Sequence, residues 1–394
     1  MSLLNNPEIK FKMQDGILVR GTGFHAVRCS YKIYEIGIKI RAYLTREKNT
    51  ETFIESPVFE VGSQQSSNAA GYLVVATAID TYVQIRDELC NLGKKEFRDF
   101  CYYEWLFKDV VLLHGNCHMG ILKAYLDSSD DFGVRYSIYP YPLLVETTKK
   151  FITEPEVFKN IDVWIHQDIR DDNRFGYQVS DSYIRSYTKK DIREICIPHT
   201  YGIGKMFFPQ LITLDCGNEA INDGNDEDGI FLYGDSVIEH CVANNMPIDK
   251  IIDYCNREDA LNRDVIISNF KSNLTKLKKR EDKWDIKLYD FIIDNYKFHK
   301  LFYDPGHPTN VIMKYIAERV LDILDCEFDN INCDMQMDAH EKFVYPATKK
   351  ALDLRWTEDE IRKNGKRLSE KMDFSEFVRE YCWWRHRSYY DVYT

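Results

Sequence analysis

An α/β fold is the class this sequence predicts: a small Rossmann-like module, a second parallel-sheet domain, and a largely helical carboxyl-terminal extension. Three observations predict it. Short apolar runs alternate with amphipathic segments over residues 16–113, and that alternation implies parallel strands joined by crossover helices. Two of the runs end in turns bearing glycine, Gly21-Thr22-Gly23 and Gly115-Asn116-Cys117, directly before a helical pattern. From about residue 248 onward, helical periodicity dominates. The boundaries expected on this reading are 1–105 for the module, 106–330 for the second domain and 331–394 for the extension.

Gly16 to Arg20 (GILVR) reads as the first strand, and the amphipathic segment after Gly23 as a helix to about Ile36. Gly37 closes that helix, as glycine does where the chain must turn left-handed. Ile38 to Leu44 (IKIRAYL) and Tyr72 to Ala76 (YLVVA) are further strands, and Thr81 to Leu92 a helix stopped by Gly93. The second domain begins at Asp109, with a buried strand at Val110–Leu113 and an apolar helix containing ILKAYL. Another strand spans Ile161 to Ile165 and runs into His166-Gln167-Asp168, and Ile195 to Pro198 is a short apolar piece. Helices fill most of 248–295 and the segment from Pro308 to about Leu324. Trp356 to Glu360 reads as a helix start, with Thr357 as cap and Glu360 three residues on.

Composition excludes several classes. At 394 residues the chain has room for two or three domains, and 44% hydrophobic with 29% charged residues is ordinary for a globular protein. A net charge of -11 argues against a general nucleic-acid coat or an anionic-membrane binder, and leaves room for a local basic pocket. Eleven scattered cysteines without a CxxC pair rule out zinc-ribbon spacing and read as reduced thiols in a cytoplasmic protein, small buried hydrophobes apart from Cys117. No metal site is expected. No apolar stretch reaches the length of a membrane span, and no secretory signal is evident. The acidic run at 223–229 lacks the glycine and glutamate of a calcium loop and reads as solvated.

Two turns carry candidate chemistry. Gly21-x-Gly23-x-x-Ala26 can hold a phosphate on free backbone N–H groups, but the second strand runs into Leu44-Thr45-Arg46 instead of a ribose-binding acid. A structural module is favoured there, with a nucleotide ligand as the alternative. The strand–Gly115-Asn116-Cys117–helix turn puts a thiol at the carboxyl edge of a parallel sheet, where a helix N-terminus favours the thiolate. Asn116 can offer an amide to an oxyanion, Gln167 can donate from the neighbouring strand end, and Gly115 and His166 are further oxyanion or substrate candidates. Asp304-x-x-His307 supplies a base and its carboxylate within one turn. The expectation is that Cys117 and His307 face a shared cavity. Tyr233-Gly234-Asp235-Ser236 mimics the nucleophile block of an esterase, but Ser236 is read as a helix cap. Arg170, Arg174 and Lys205 are candidate phosphate contacts, and Tyr201, Phe207 and Phe208 candidate groove aromatics, though surface charge and core packing are the commoner fates of such residues.

These motifs together resemble the WcbI-type polysaccharide-biosynthesis enzymes. The matching positions are Gly115-Asn116-Cys117-His118, Ile165-His166-Gln167, Ile197-Pro198-His199-Thr200-Tyr201, Tyr233-Gly234-Asp235 and His307-Pro308-Thr309, over about residues 109–370. The resemblance implies an SGNH-hydrolase-like fold and acyl transfer, expected to be acetyl transfer from acetyl-coenzyme A to a sugar hydroxyl of a capsular or exopolysaccharide precursor. The family commonly carries Gln after the cysteine, so His118 stands open as an oxyanion donor, a base or a substrate contact. Two mechanisms stay open as well: a thioester on Cys117, or direct attack by a hydroxyl that His307 or His118 deprotonates. The competing readings are an SGNH-like carbohydrate esterase or deacetylase, and a non-catalytic scaffold of a polysaccharide assembly complex. A homodimer through the aromatic tail at 376–394 is the alternative to its packing on the core.

Overall fold

The computed structural model describes residues 3–69, 71–144, 155–213, 233–328, 330–335, 341–358, 360–362, 371–386 and 391. The acidic run at 223–229 and Cys216 lie outside them. The chain divides into two compact units, Met1–Cys196 with Asp325–Asp329, and Ile197–Leu324 with Asn330–Thr394.

The first unit holds two sheets. Strands β1 (Ile17–Arg20), β2 (Ile40–Thr45), β3 (Thr52–Phe53), β4 (Ser56–Glu60), β5 (Tyr72–Val75) and β6 (Phe100–Tyr102) lie in the order β3-β4-β2-β1-β5-β6. Pairing is parallel except for the β3–β4 edge. Near-continuous apolar runs suit strands covered on both faces, and Ile17, Val19, Val74 and Val75 are fully buried. The crossover helices Phe24–Glu35 and Ile79–Asn91 bury Ala26, Cys29 and Ile33, and Tyr82, Ile85 and Leu89, at helical spacing. Gly37 and Gly93 follow them in the left-handed region. β4 and β6 had no strand signal, β4 because proline and polar residues interrupt it and β6 because it is only three residues long.

The second sheet is made of β7 (Asp109–His114), β8 (Tyr136–Tyr139), β9 (Val163–Gln167) and β10 (Arg193–Ile197), in the order β10-β9-β7-β8. β7 pairs in parallel with both β8 and β9. The two sheets share one apolar cluster, in which Val19 and Val74 join Trp105, Leu112, Tyr139 and Trp164.

The other unit is mostly helical, with helices at Ile248–Cys255, Arg263–Arg280, Tyr289–Asn295, Asn310–Ile323, Pro346–Leu352 and Phe374–Arg385. β11 (Leu211–Thr213) pairs antiparallel with β12 (Tyr233–Asp235), and β13 (Glu360–Arg362) with β14 (Lys371–Asp373). Two sequence expectations fail here. The helix after β12 is capped by Asp235, whose carboxylate accepts the N–H groups of Val237 and Ile238, while the Ser236 hydroxyl donates to the Gln210 carbonyl. The segment from Trp356 starts no helix and leads into β13. Glu360, expected three residues after the cap, is the first residue of β13, and Glu358 is drawn to Lys300 and to the Val344 N–H.

The tail helix buries Phe377, Val378, Tyr381 and Cys382 in the core of its own unit. Of the described cysteines, Cys90 is exposed and Cys333 half-buried, against the expectation of buried thiols, and none is disulfide-bonded. Among the described residues no helix is long and apolar enough to cross a membrane.

Candidate functional site

β7 is buried along its apolar run and stops at His114, where Gly115 breaks the strand. A Cβ at 115 would meet Met119 Cε at 2.6 Å and Gln167 Oε1 at 2.7 Å, so a larger residue would push both side chains out of their present places against the turn. Asn116 then folds the chain. Its side-chain oxygen accepts the His118 N–H at 3.0 Å, and its carbonyl accepts from Met119 N at 3.0 Å to begin the helix His118–Asp127. Cys117 is the half-buried residue at the start of that helix, whose apolar face (Met119, Ile121, Leu122, Tyr125, Leu126) anchors it.

Gln167, at the end of β9, braces the turn from the neighbouring strand. Its Oε1 accepts the Asn116 backbone N–H at 3.0 Å, and its Nε2 lies 3.1 Å from His118 Nδ1. Gly115, Asn116, Cys117, His118 and Gln167 are thus gathered at the carboxyl ends of β7 and β9. A cavity of about 470 Å³ lined by Asp109, Asp162, Lys189 and Arg193 sits at the amino ends of these strands, away from Cys117.

His166 faces different company. It is buried, stacked on Trp164 at 4.0 Å, with Nδ1 at 3.2 Å from Asp181 and Nε2 at 3.0 Å from Glu194. Burial opposes its charge, yet the two carboxylates outweigh it and raise its pKa to about 9. The hydrogen bond from His166 holds Glu194 down at about 2. On the adjacent strand end, burial and the His166 charge push His114 to about 3. His166 is therefore a buried imidazolium that ties β9 to Asp181 and β10, a brace behind the cysteine turn. Neither Asp181 nor Glu194 was singled out in the sequence; Glu194 is 28 positions from His166, and no local pattern links them.

This ion pair sets a stability window. His166 is raised above 6.5, so its contribution is complete below about pH 6.5 and is lost as pH rises through about 9. Glu194 is depressed below 4.5, so its contribution is present above about pH 4.5 and is lost as pH falls toward 2. Glu194→Gln is expected to cost about 2 kcal/mol inside that window. It also flattens the fall in stability toward pH 9, which urea unfolding across a pH series measures.

The second unit holds the other candidate pair. Asp304 is buried, and its Oδ1 accepts from the N–H groups of Gly306 (2.7 Å) and His307 (2.9 Å), while Oδ2 takes His307 Nδ1 at 2.7 Å. Burial pushes the Asp304 carboxyl up, but the His307 partner and the two backbone N–H groups outweigh it and hold it below the ordinary range. The turn is packed from beneath. Thr200 donates to the Gly306 carbonyl, and a Cβ at Gly204 would strike the Asp304 carbonyl at 2.5 Å. His307 itself is half-buried, with its Nδ1 committed to Asp304.

The candidate phosphate contacts part ways. Arg170 is exposed and paired with Asp172, and Arg174 is exposed with its guanidinium over the Phe175 ring. Lys205 and Tyr201 instead line a cavity of about 490 Å³ with Lys276, Lys279 and Arg280. These last three were overlooked because the basic end of Arg263–Arg280 reads as an ordinary solvated helix terminus. Phe207 and Phe208 are buried core residues.

In the first sheet, Gly21 (φ +128°) is required because a Cβ there would meet the Ala76 carbonyl at 2.6 Å. Gly23 caps the next helix without crowding, and Arg46, where an acid would bind a ribose, pairs with Glu88. A cavity of about 330 Å³ lined by Thr22, Thr45 and Arg46 borders this turn. Among the described residues no cluster of three or more His, Cys, Asp or Glu is arranged to hold a metal ion.

The chain's fold is similar to a solved structure of WcbI, described as a novel polysaccharide biosynthesis enzyme in its native form without a disulfide bond between coenzyme A and a cysteine. The TM-score is 0.56 at 16% identity, with 73% of this chain and 93% of that one covered. No curated protein gives a match. The family model for the polysaccharide biosynthesis enzyme WcbI matches residues 110–329, more than half of the sequence. The chain belongs to the WcbI family of polysaccharide biosynthesis enzymes.

Proposed function

We propose that this chain transfers an acyl group, acetyl in the simplest case, from coenzyme A to a sugar hydroxyl of a polysaccharide precursor. The observation that carries the reading is the half-buried thiol of Cys117, set in a braced turn at the carboxyl edge of a parallel sheet, where α/β proteins take their ligands. Coenzyme A is named together with a cysteine for the similar WcbI structure, and here we assign that pairing to Cys117.

The residues fit the donor. Lys205, Lys276 and Lys279 around the 490 Å³ cavity would hold its phosphates, and the exposed Tyr201 ring would stack on its adenine. When bound, coenzyme A supplies an acyl group activated as a thioester. Cys117 attacks the acyl carbon as a thiolate and keeps it as a new thioester, the carbon–sulfur bond to coenzyme A breaking so that coenzyme A departs as a thiolate, protonated from solvent. His307, its Nδ1–H held by Asp304, takes the proton of the sugar hydroxyl at Nε2 as that oxygen attacks the acyl carbon. Cys117 then leaves as the thiolate and His307 releases the proton to solvent, which resets both groups for another cycle.

Mass spectrometry after incubation with acetyl-coenzyme A tests the reading. An acetyl adduct on the Cys117 peptide, discharged by a sugar acceptor, is the expected result. Acceptor-dependent thiol release without an adduct selects direct transfer, and the absence of both sinks the transferase reading. The basic cavity has its own test. Lys205→Glu with Lys279→Glu is expected to weaken coenzyme A binding at least about tenfold, roughly 1.4 kcal/mol, with most of the loss disappearing at high salt. Titration calorimetry at two ionic strengths reads it, and unchanged affinity places the phosphates elsewhere.

A further inference from the structure

We propose that Gln167 holds His118 in the neutral tautomer protonated on Nε2, which makes His118 a hydrogen-bond donor in acyl transfer and bars it from acting as the base. The donor role rests on the transferase reading; the tautomer does not.

The orientation of the Gln167 amide is settled by chemistry. The Asn116 backbone N–H can only donate, so the Gln167 atom 3.0 Å from it is the carbonyl oxygen. The amide nitrogen therefore faces His118 Nδ1 at 3.1 Å, and an amide nitrogen can only donate. Nδ1 must then present its lone pair, and a neutral ring carries its single proton on Nε2. Protonating Nδ1 would set two donors against each other at a residue only 1% exposed.

The surroundings keep this arrangement from rotating away. Gly115 leaves the space that Gln167 Oε1 occupies, since any Cβ there would overlap it. The His118 backbone N–H is tied to Asn116 Oδ1. Gln167 is thus a positioning residue for both the cysteine turn and the imidazole. In the other unit the choice is reversed. Asp304 accepts from His307 Nδ1, which leaves Nε2 as the basic atom. One histidine is set by an amide to donate, the other by a carboxylate to accept, and of the three roles left open for His118 those of donor and base are thereby separated.

Ring-nitrogen NMR on protein with 15N-labelled histidine tests this without donor or acceptor present. The His118 signals, identified by their loss in His118→Gln, are expected to report protonated Nε2 and unprotonated Nδ1 throughout neutral pH. Gln167→Glu replaces the donor by an acceptor and is expected to move the proton to Nδ1 or to charge the ring. A wild-type His118 protonated on Nδ1 overturns the proposal whatever the enzyme's activity. In turnover, His118→Gln keeps a donating amide and is expected to retain activity within about tenfold, where loss of a general base costs about 10²–10⁴-fold. A loss of the latter size with the donor tautomer intact would overturn the donor role alone.

Discussion

Cys117→Ala is expected to lower acyl-transfer turnover by at least about 10³-fold, the scale of losing a covalent nucleophile whose neighbours still bind substrate. Cys117→Ser is expected to be nearly as poor, because a hydroxyl is far less ionised than a thiol at neutral pH. Stability should barely change. The side chain is half-buried, and the turn is held by backbone and by Asn116 and Gln167, not by the sulfur. Turnover assays with acetyl-coenzyme A, paired with thermal melts, separate the two effects. If the alanine variant turns over at the wild-type rate, the thioester route is wrong and direct attack on the donor takes its place.

Asp304→Asn is expected to reduce turnover by about 10³–10⁴-fold with a small change in KM. The asparagine side chain can still accept the Gly306 and His307 N–H groups, so the turn survives. Its amide, however, can turn a donor toward His307 Nδ1 and so invert the ring, placing the proton on the nitrogen that should accept. Acid sensitivity should change in step. The Asp304 carboxyl is depressed in the folded protein, so its stabilisation is present above the ordinary carboxylate pKa and is lost as pH falls through the folded value. The variant has no such group to titrate. Its stability is expected to fall less steeply in acid than that of the wild type, which denaturant midpoints below pH 5 would reveal. An unchanged rate would remove Asp304 and His307 from the proton path.

Much of this was visible in the residue order, but unevenly. The runs ILVR, YLVV and DVVLLH are continuous and apolar, so they declare themselves as buried strands wherever they stand. The Gly115-Asn116-Cys117 turn declared itself because strand, turn and helix are contiguous. Asp304 and His307 did so because three positions separate them. Gln167 was named only as a donor to an oxyanion, whereas its amide is spent on Asn116 and His118, about fifty positions upstream. The His166–Glu194 pair and the Lys205–Lys279 cavity join residues far apart in the chain, and no periodicity encodes such pairings. The spacing of Thr357 and Glu360 misled for the same reason: it reads as a helix start, but Glu360 opens β13, which pairs with β14 further along the chain, and Lys300 claims Glu358 between them.

The sequence by itself determined the α/β class, the strand-end position of Cys117 and the local Asp304–His307 turn, because each depends on neighbours within a few residues. Tertiary structure alone decided which polar groups meet: the Gln167 amide on His118, the carboxylates on His166, the lysines around Tyr201. Apolar patterning specifies what must be buried, but hydrogen-bond direction and proton position depend on partners that only folding brings within about 3 Å.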